Sequence, residues 1–355
     1  MLARAAVRLS EWTARLVPSA FAIALLLTFV TFGLSMALTG ASPGRVVIEW
    51  GNGFWTLVPF AMQMTLVVLS GYLVSTAPLV DRLFARLASR AATPRGAVVL
   101  MAVVSMGLAW FHWGLSLVGC AMFVRHVVRA QPKVDYRLLV CAAYFGMGAT
   151  WHAGLSASAP LLVATPGHFL EATIGVIPVT ATIFSAFNLG LTLVVVGMLA
   201  VLAWVMHPDD AHARPVDPGV LDTLERFDPP VPPAHPTPAT RLDHSRLLTL
   251  AIGGCGAAWV AWYFVTHGFA LTLDVLNFAF LMLAILLHPS AASLLAASEK
   301  GAPLVAGIIV QFPFYAGMYG VIQGTGLAGR SSGSSSRGLP HRTPCHWLYS
   351  STRAS

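Results

Sequence analysis

Between its charged residues the chain runs for long distances without a single ionised side chain. Eight stretches contain no Asp, Glu, Lys or Arg: 16–44, 54–80, 97–124, 138–170, 172–208, 247–273, 275–298 and 301–329. Each reaches the ~20 residues that a helix needs to cross a bilayer. A soluble core helix can be apolar all round, but eight such stretches leave no polar surface with which to face water. The pattern predicts an all-α polytopic membrane protein.

Charges beside the stretches orient them. Arg4, Arg8 and Arg15 place the N-terminus in the cytoplasm by the positive-inside rule, and the 45–52 connection, with only Arg45 and Glu49, suits the outer side. The run 20–38 is longer than the ~7–15 residues of a signal-peptide core, so it reads as a retained first span. Residues 79–91 carry Val80, Leu83, Phe84, Leu87 and Ala91 on one helical face and Arg82, Arg86 and Arg90 on another. That is the pattern of a helix lying in the interface, and Pro78 makes a suitable start.

The stretch 97–124 has Arg95 before it and Arg125, Arg129, Lys133 and Arg137 after it. Both ends therefore favour the cytoplasm. A re-entrant hairpin turning near Trp110–Gly114 satisfies both, whereas a simple span violates one loop. Residues 138–164 hold Gly146, Gly148, Gly154 and Pro160 among Ser156 and Ser158, a density of breakers that predicts a helix unwound in its middle. The first transmembrane half is thus 1–206. Residues 207–246, with nine prolines, seven acids and four arginines, read as a flexible cytoplasmic linker. A partial second half, 247–329, holds helices at 247–266, about 275–291 and 302–322. The tail, 330–355, has eight serines, no acid and no sustained apolar run, and reads as an aberrant or disordered segment.

Composition agrees with the pattern: 56% of residues are hydrophobic and 10% charged, against about 25% charged in soluble domains. The net charge of +7 comes from arginines beside apolar stretches, which favours the positive-inside rule over nucleic-acid binding. Cys120, Cys141, Cys255 and Cys345 fall at no metal-ligand or redox spacing. No cofactor or metal is expected.

Two pentapeptides carry the candidate chemistry: His112-Trp113-Gly114-Leu115-Ser116 and His152-Ala153-Gly154-Leu155-Ser156. Both fall at expected backbone breaks. At such breaks free N–H groups can hold a carboxylate and unwound carbonyls a cation. Gly114, Leu115, Ser116, Gly154, Ser156, Ser158 and Thr165 are the candidate substrate-binding residues, although small residues also serve helix packing alone. His112 and His152 are candidate substrate or proton contacts, or neutral hydrogen-bonded histidines. Trp113 and Trp151 are pocket walls or interfacial anchors, and Gln311 is a substrate contact or an interhelical hydrogen bonder. An intramembrane hydrolase using His152 with Ser156 or Ser158 remains a rival, weakened because no orienting acid lies in any apolar stretch.

The words Gly53-Phe54-Trp55, Phe60-Ala61-Met62-Gln63-Met64, Pro160-Leu161-Leu162, Ala164-Thr165-Pro166-Gly167 and Gln311 to Gly317 occur in an order that resembles the bacterial short-chain fatty acid transporter family. The resemblance runs from the N-terminus to about Ala328. It implies a two-half, ion-transporter-like secondary carrier, each half with a re-entrant hairpin and a broken helix, in the bacterial inner membrane. It also implies a short monocarboxylate as substrate, of butyrate or acetoacetate type, and H⁺ or Na⁺ as coupling ion; the lipid bilayer is a partner, and a homo-oligomer is open. His112 departs from the family's Asn-Trp-Gly turn, which weakens the proton-relay reading. The family continues beyond this chain's last apolar stretch, so the second half is expected to be incomplete. The tail then reads as a shifted reading frame, and an inactive fragment is the alternative outcome.

Overall fold

The computed structural model describes residues 16–168, 170–209, 211–217, 219 and 227–329. Arg4, Arg8, Arg15 and the 330–355 tail lie outside the described residues. All regular structure among the described residues is helical, and seven helices are long and apolar enough to cross a membrane. Their outward faces are apolar: Phe187, Leu193, Val205, Leu247 and Val265 are each at least 70% exposed. Such a surface is a liability in water and the normal state against lipid.

The described residues divide into two compact units, 16–61 with 307–329, and those within 62–306. The first contains α1 (Ala20–Thr39), α2 (Pro43–Gly53), the start of α3 (Val58–Thr76) and the end of α14 (Ala291–Gly324). Ser19 caps α1 through its hydroxyl, and Gly40 ends it at φ 70°, a left-handed conformation that glycine adopts without strain. Phe314 packs edge-on against Phe21 and Phe54, at 5.2 and 5.4 Å. A Cβ on Gly53 would stand 2.6 Å from the Gly320 Cα, so this helix crossing needs glycine on both sides.

The second unit continues α3 and adds α4 (Pro78–Ala88), α5 (Pro94–Phe111), α6 (Trp113–Ala130), α7 (Tyr136–Ala143), α8 (Ser158–Ala164), α9 (Glu171–Ile174), α10 (Ala186–Met206), α11 (Pro238–Asp243), α12 (Arg246–His267) and α13 (Leu273–Leu287). Phe84 and Ala88 of α4 are buried, whereas Arg82, Arg86 and Arg90 are exposed. Helices α5 and α6 form a hairpin joined through the single residue His112. Its two bases meet where the Gln131 side chain donates to the Ala91 carbonyl at 2.6 Å. At the same base Asp81 accepts from Arg125 and His126, both at 2.8 Å. The hairpin tip lies against Val67, at the middle of α3, since a Cβ on Gly114 would collide with the Val67 carbonyl oxygen.

Helices α7 and α8 are separated by a π turn (Gly146–Thr150), a 3₁₀ turn (Trp151–Ala153) and an extended Gly154. The beginning of the 207–246 segment is anchored: Arg214 accepts from the Tyr136 N–H at 2.9 Å, and its own N–H donates to Asp135 at 2.9 Å. Val216 and Phe227 pack on the core.

The last helices differ from the sequence expectation. α13 ends at Leu287, and α14 then runs as one helix through Glu299, Lys300 and Pro303, where separate segments at 275–291 and 302–322 were expected. Pro289 holds His288 in extended backbone (ψ 140°), as the residue before proline prefers. Ser290 then accepts from the Ser293 N–H at 3.2 Å and starts the new helix.

Candidate functional site

The hairpin tip and the interrupted helix are built against each other. Two bonds join them: the Trp113 N–H donates to Ser156 Oγ at 2.8 Å, and the Leu155 N–H donates to the Trp110 carbonyl at 2.6 Å. Gly154 permits the approach, because a Cβ there would run into the Trp110 carbonyl oxygen. Further out along α5, the Ser105 hydroxyl donates to the Ala142 carbonyl at 2.8 Å and accepts from the Gly146 N–H at 3.2 Å. Thr150 donates to the Met106 carbonyl at 2.9 Å. Buried hydroxyls thus satisfy backbone groups that the break leaves open.

His112 organises the turn. Its extended backbone (φ −160°) ends α5, and its Nδ1 accepts the Leu115 N–H at 3.1 Å, so the ring is the N-cap of α6. An accepting Nδ1 carries no proton; in the neutral ring the proton is therefore on Nε2. Nε2 is buried and has no partner among the described residues. Phe280 of α13 covers the ring, with centroids 3.9 Å apart and planes at 31°. The first-turn donors of α6 are largely taken: Trp113 by Ser156, Leu115 by Nδ1 of His112 and Ser116 by the His112 carbonyl. The Gly114 N–H has no acceptor among the described residues.

The remaining expected residues occupy varied places. Leu115 is half-buried against the core. The Ser116 hydroxyl donates to the Ser105 carbonyl at 2.9 Å within the hairpin. Ser158 donates to Met64 Sδ at 3.4 Å, and Thr165 donates to the Leu161 carbonyl at 2.7 Å while accepting the Leu273 N–H at 3.3 Å. Trp113 and Trp151 lie edge to face at 6.3 Å, and the Trp113 Nε1 is buried without a partner among the described residues. His152 is exposed, edge-on to Trp151 at 5.1 Å. Gln311 belongs to the first unit, where its Oε1 accepts from Tyr315 at 3.1 Å.

Sequence reasoning missed one face of α13. Asp274 and Asn277 both bond to Gln63, and Phe280, a turn further on, covers His112. The available signal was the i, i+3, i+6 spacing of Asp274, Asn277 and Phe280, which brings them to one face of a helix.

An all-helical, multi-span chain whose hairpin tip closes on an interrupted helix is built as a membrane transporter. Residues 1–335 match the model of the family described as "Short chain fatty acid transporter", and the chain belongs to that family. Two relatives, each provisionally named a short-chain fatty acid transporter, are similar to most of it. The Escherichia coli (strain K12) protein is 38% identical over 329 residues, 93% of this chain and 74% of the relative. The Haemophilus influenzae (strain ATCC 51907 / DSM 11121 / KW20 / Rd) protein is 36% identical over 336 residues, 93% of this chain and 75% of the relative. No solved structure matches. The family match reaches residue 335, into the segment set apart above as 330–355.

The family is one of transporters, not enzymes. The hydrolase reading also fails on geometry: Ser156 Oγ accepts the Trp113 N–H, and no hydrogen bond joins His152 to Ser156 or Ser158 among the described residues.

Proposed function

We propose that the protein is a secondary carrier of short monocarboxylates of the butyrate or acetoacetate type, driven by an H⁺ or Na⁺ gradient across the bacterial cytoplasmic membrane. The N-terminus is on the cytoplasmic side in this reading, and the α5–α6 hairpin enters and leaves the membrane from that side.

The observation that carries the reading is the unpartnered Nε2–H of His112, buried at the hairpin tip beside the α6 N-terminus. A buried donor without an acceptor is costly, and a carboxylate oxygen relieves that cost. The Gly114 N–H and the positive end of α6 add to the attraction for an anion. Gly154 and Ser156 hold the opposing wall, and Trp113, Trp151 and Phe280 supply apolar surface for a short alkyl chain. Gly114 and Gly154 serve this site by letting backbones approach. Their own N–H groups differ: that of Gly154 is bonded to the Trp151 carbonyl at 3.2 Å.

Uptake of labelled butyrate into proteoliposomes, with pH or Na⁺ gradients imposed separately, tests the reading. Saturable, gradient-driven uptake is expected; uptake that never saturates under either gradient would overturn it.

A further inference from the structure

We infer that Gln63, Asp274 and Asn277 form a binding site for a hard monovalent cation, Na⁺. The inference deepens the carrier reading, on which it rests for its role in transport though not for its existence.

Asp274 and Asn277 stand three residues apart on α13 and share a face toward Gln63 of α3. The Gln63 Nε2 donates to Asp274 Oδ1, while Asn277 Nδ2 donates to both the main-chain carbonyl and Oε1 of Gln63. These bonds occupy Asp274 Oδ1 and both Gln63 oxygens, and leave Asn277 Oδ1 and the second carboxylate oxygen of Asp274 for an ion. Asn277 is 4% exposed, yet its Oδ1 has no partner among the described residues. Asp274, exposed in the first turn of α13, has no ion-pair partner among the described residues. A buried acceptor that lacks a donor, beside a carboxylate with no ion-pair partner, suits a small cation.

The donor set selects its kind. One formal negative charge with a neutral amide oxygen suits a monovalent ion, whereas divalent sites gather carboxylates and transition-metal sites gather nitrogen or sulfur. Position gives the ion a role. Phe280 lies one turn beyond Asn277 on the same face and covers His112, so a cation fixing α13 to α3 also fixes the aromatic cover over the tip where the substrate anion is proposed to sit. Cation and anion would then stabilise each other's sites through one helix.

Thermal unfolding of the purified full chain in NaCl, against KCl at equal ionic strength, reads the site without transport. Na⁺ is expected to raise the midpoint by about 2–4 °C over K⁺. Asp274→Asn keeps an oxygen for the Gln63 Nε2, so the fold is retained, and should abolish the Na⁺ shift; Asn277→Ala should raise the Na⁺ concentration needed by about tenfold or more, the scale of one coordinating interaction. An equal response to Na⁺ and K⁺ in the unmodified protein, or a full Na⁺ shift in Asp274→Asn, overturns the site. Labelled butyrate uptake by the same preparation separates the two readings. Saturable uptake driven by a pH gradient, with no Na⁺ shift, sinks the cation site and leaves the carrier; a Na⁺ shift without uptake leaves the site and sinks the carrier.

Discussion

The main-chain N–H of Trp113 donates to the Ser156 hydroxyl oxygen at 2.8 Å, and this bond joins the tip of the hairpin to the break in the α7–α8 helix. Removing the hydroxyl leaves the donor inside the protein with nothing to bond. Ser156→Ala is expected to destabilise the chain by about 1–3 kcal/mol and to lower butyrate uptake by about tenfold, the equivalent of about 1.4 kcal/mol. Ser156→Thr, which retains the hydroxyl, should recover most of the uptake. Melting temperatures and initial rates of the two variants in proteoliposomes check this.

The glycines of the site divide by what surrounds them. Gly154 faces the Trp110 carbonyl and Gly114 faces that of Val67, both too close for a Cβ, whereas nothing lies within 4 Å of the Cβ position at Gly148. Alanine at Gly114 or Gly154 should therefore cost at least about 2 kcal/mol through forced backbone movement. Gly148→Ala, in the same irregular segment as Gly154, should stay within about 0.5 kcal/mol. The yield of monodisperse protein and its thermal midpoint distinguish the three.

The membrane character and the positions of both breaks were legible in the chain, because an absence of charge and a density of glycine are local properties. The meeting of the two breaks was not. Trp113 and Ser156 are 43 residues apart, and no periodicity announces a hydrogen bond between a turn N–H and a distant hydroxyl. Hydroxyl direction was equally hidden: Ser116 and Ser156 occupy matching positions in similar pentapeptides, yet Ser116 bonds inside its own hairpin and Ser156 across to the other break. Asp274 entered the sequence reading only as the end of an uncharged run. Its relation to Gln63, 211 residues away, becomes visible only when α3 and α13 are packed. Counting charges also misplaced the last helices, since Pro289 and Ser290, both uncharged, set that boundary.

The hairpin base depends on a charge. Arg125 has 5% of its side chain exposed and meets Asp81 at 2.8 Å, with His126 on the same oxygen. Asp81→Asn weakens a charge-assisted bond to a buried guanidinium and should destabilise the protein by about 1–3 kcal/mol. Denaturant unfolding of both proteins at neutral pH measures it.

Asp135 caps α7 at the start of the broken helix and holds the linker. Burial opposes its charge, but the N–H groups of Arg214 and Leu138, with the hydrogen bond and charge of Arg137, outweigh burial and hold its carboxyl below the ordinary range. A carboxylate whose pKa is depressed by folding adds stability that is full above the unfolded value of about 3.9 and is lost as pH falls through the lower, folded value. Asp135→Asn should therefore be less stable than the unmodified protein at neutral pH. The two should converge only as pH drops below about 4, and melting temperatures against pH give the curve. A constant difference down to the lowest pH would show that the charge of Asp135 is not what stabilises this junction.

His112 separates capping from substrate contact. Its Nδ1 caps α6 through the Leu115 N–H, while its Nε2–H is the buried donor assigned to the substrate carboxylate. Asparagine can reproduce the cap through its side-chain oxygen, but its amide N–H ends nearer the backbone than Nε2 does. His112→Asn should keep the melting temperature within about 2 °C, the shift expected for about 0.5 kcal/mol or less, yet raise the KM for butyrate by about tenfold or more, since one lost hydrogen bond to a charged group is worth about 1.5–3 kcal/mol. His112→Ala should lose both the cap and the contact, with an added stability cost of about 0.5–2 kcal/mol. Because Nδ1 is committed to the Leu115 N–H, the ring is poorly placed to relay protons. The slope of uptake against an imposed pH gradient should therefore be the same for His112→Asn as for the unmodified protein once substrate is saturating. A flattened slope with unchanged KM would instead make His112 part of the coupling path and remove it from the carboxylate site.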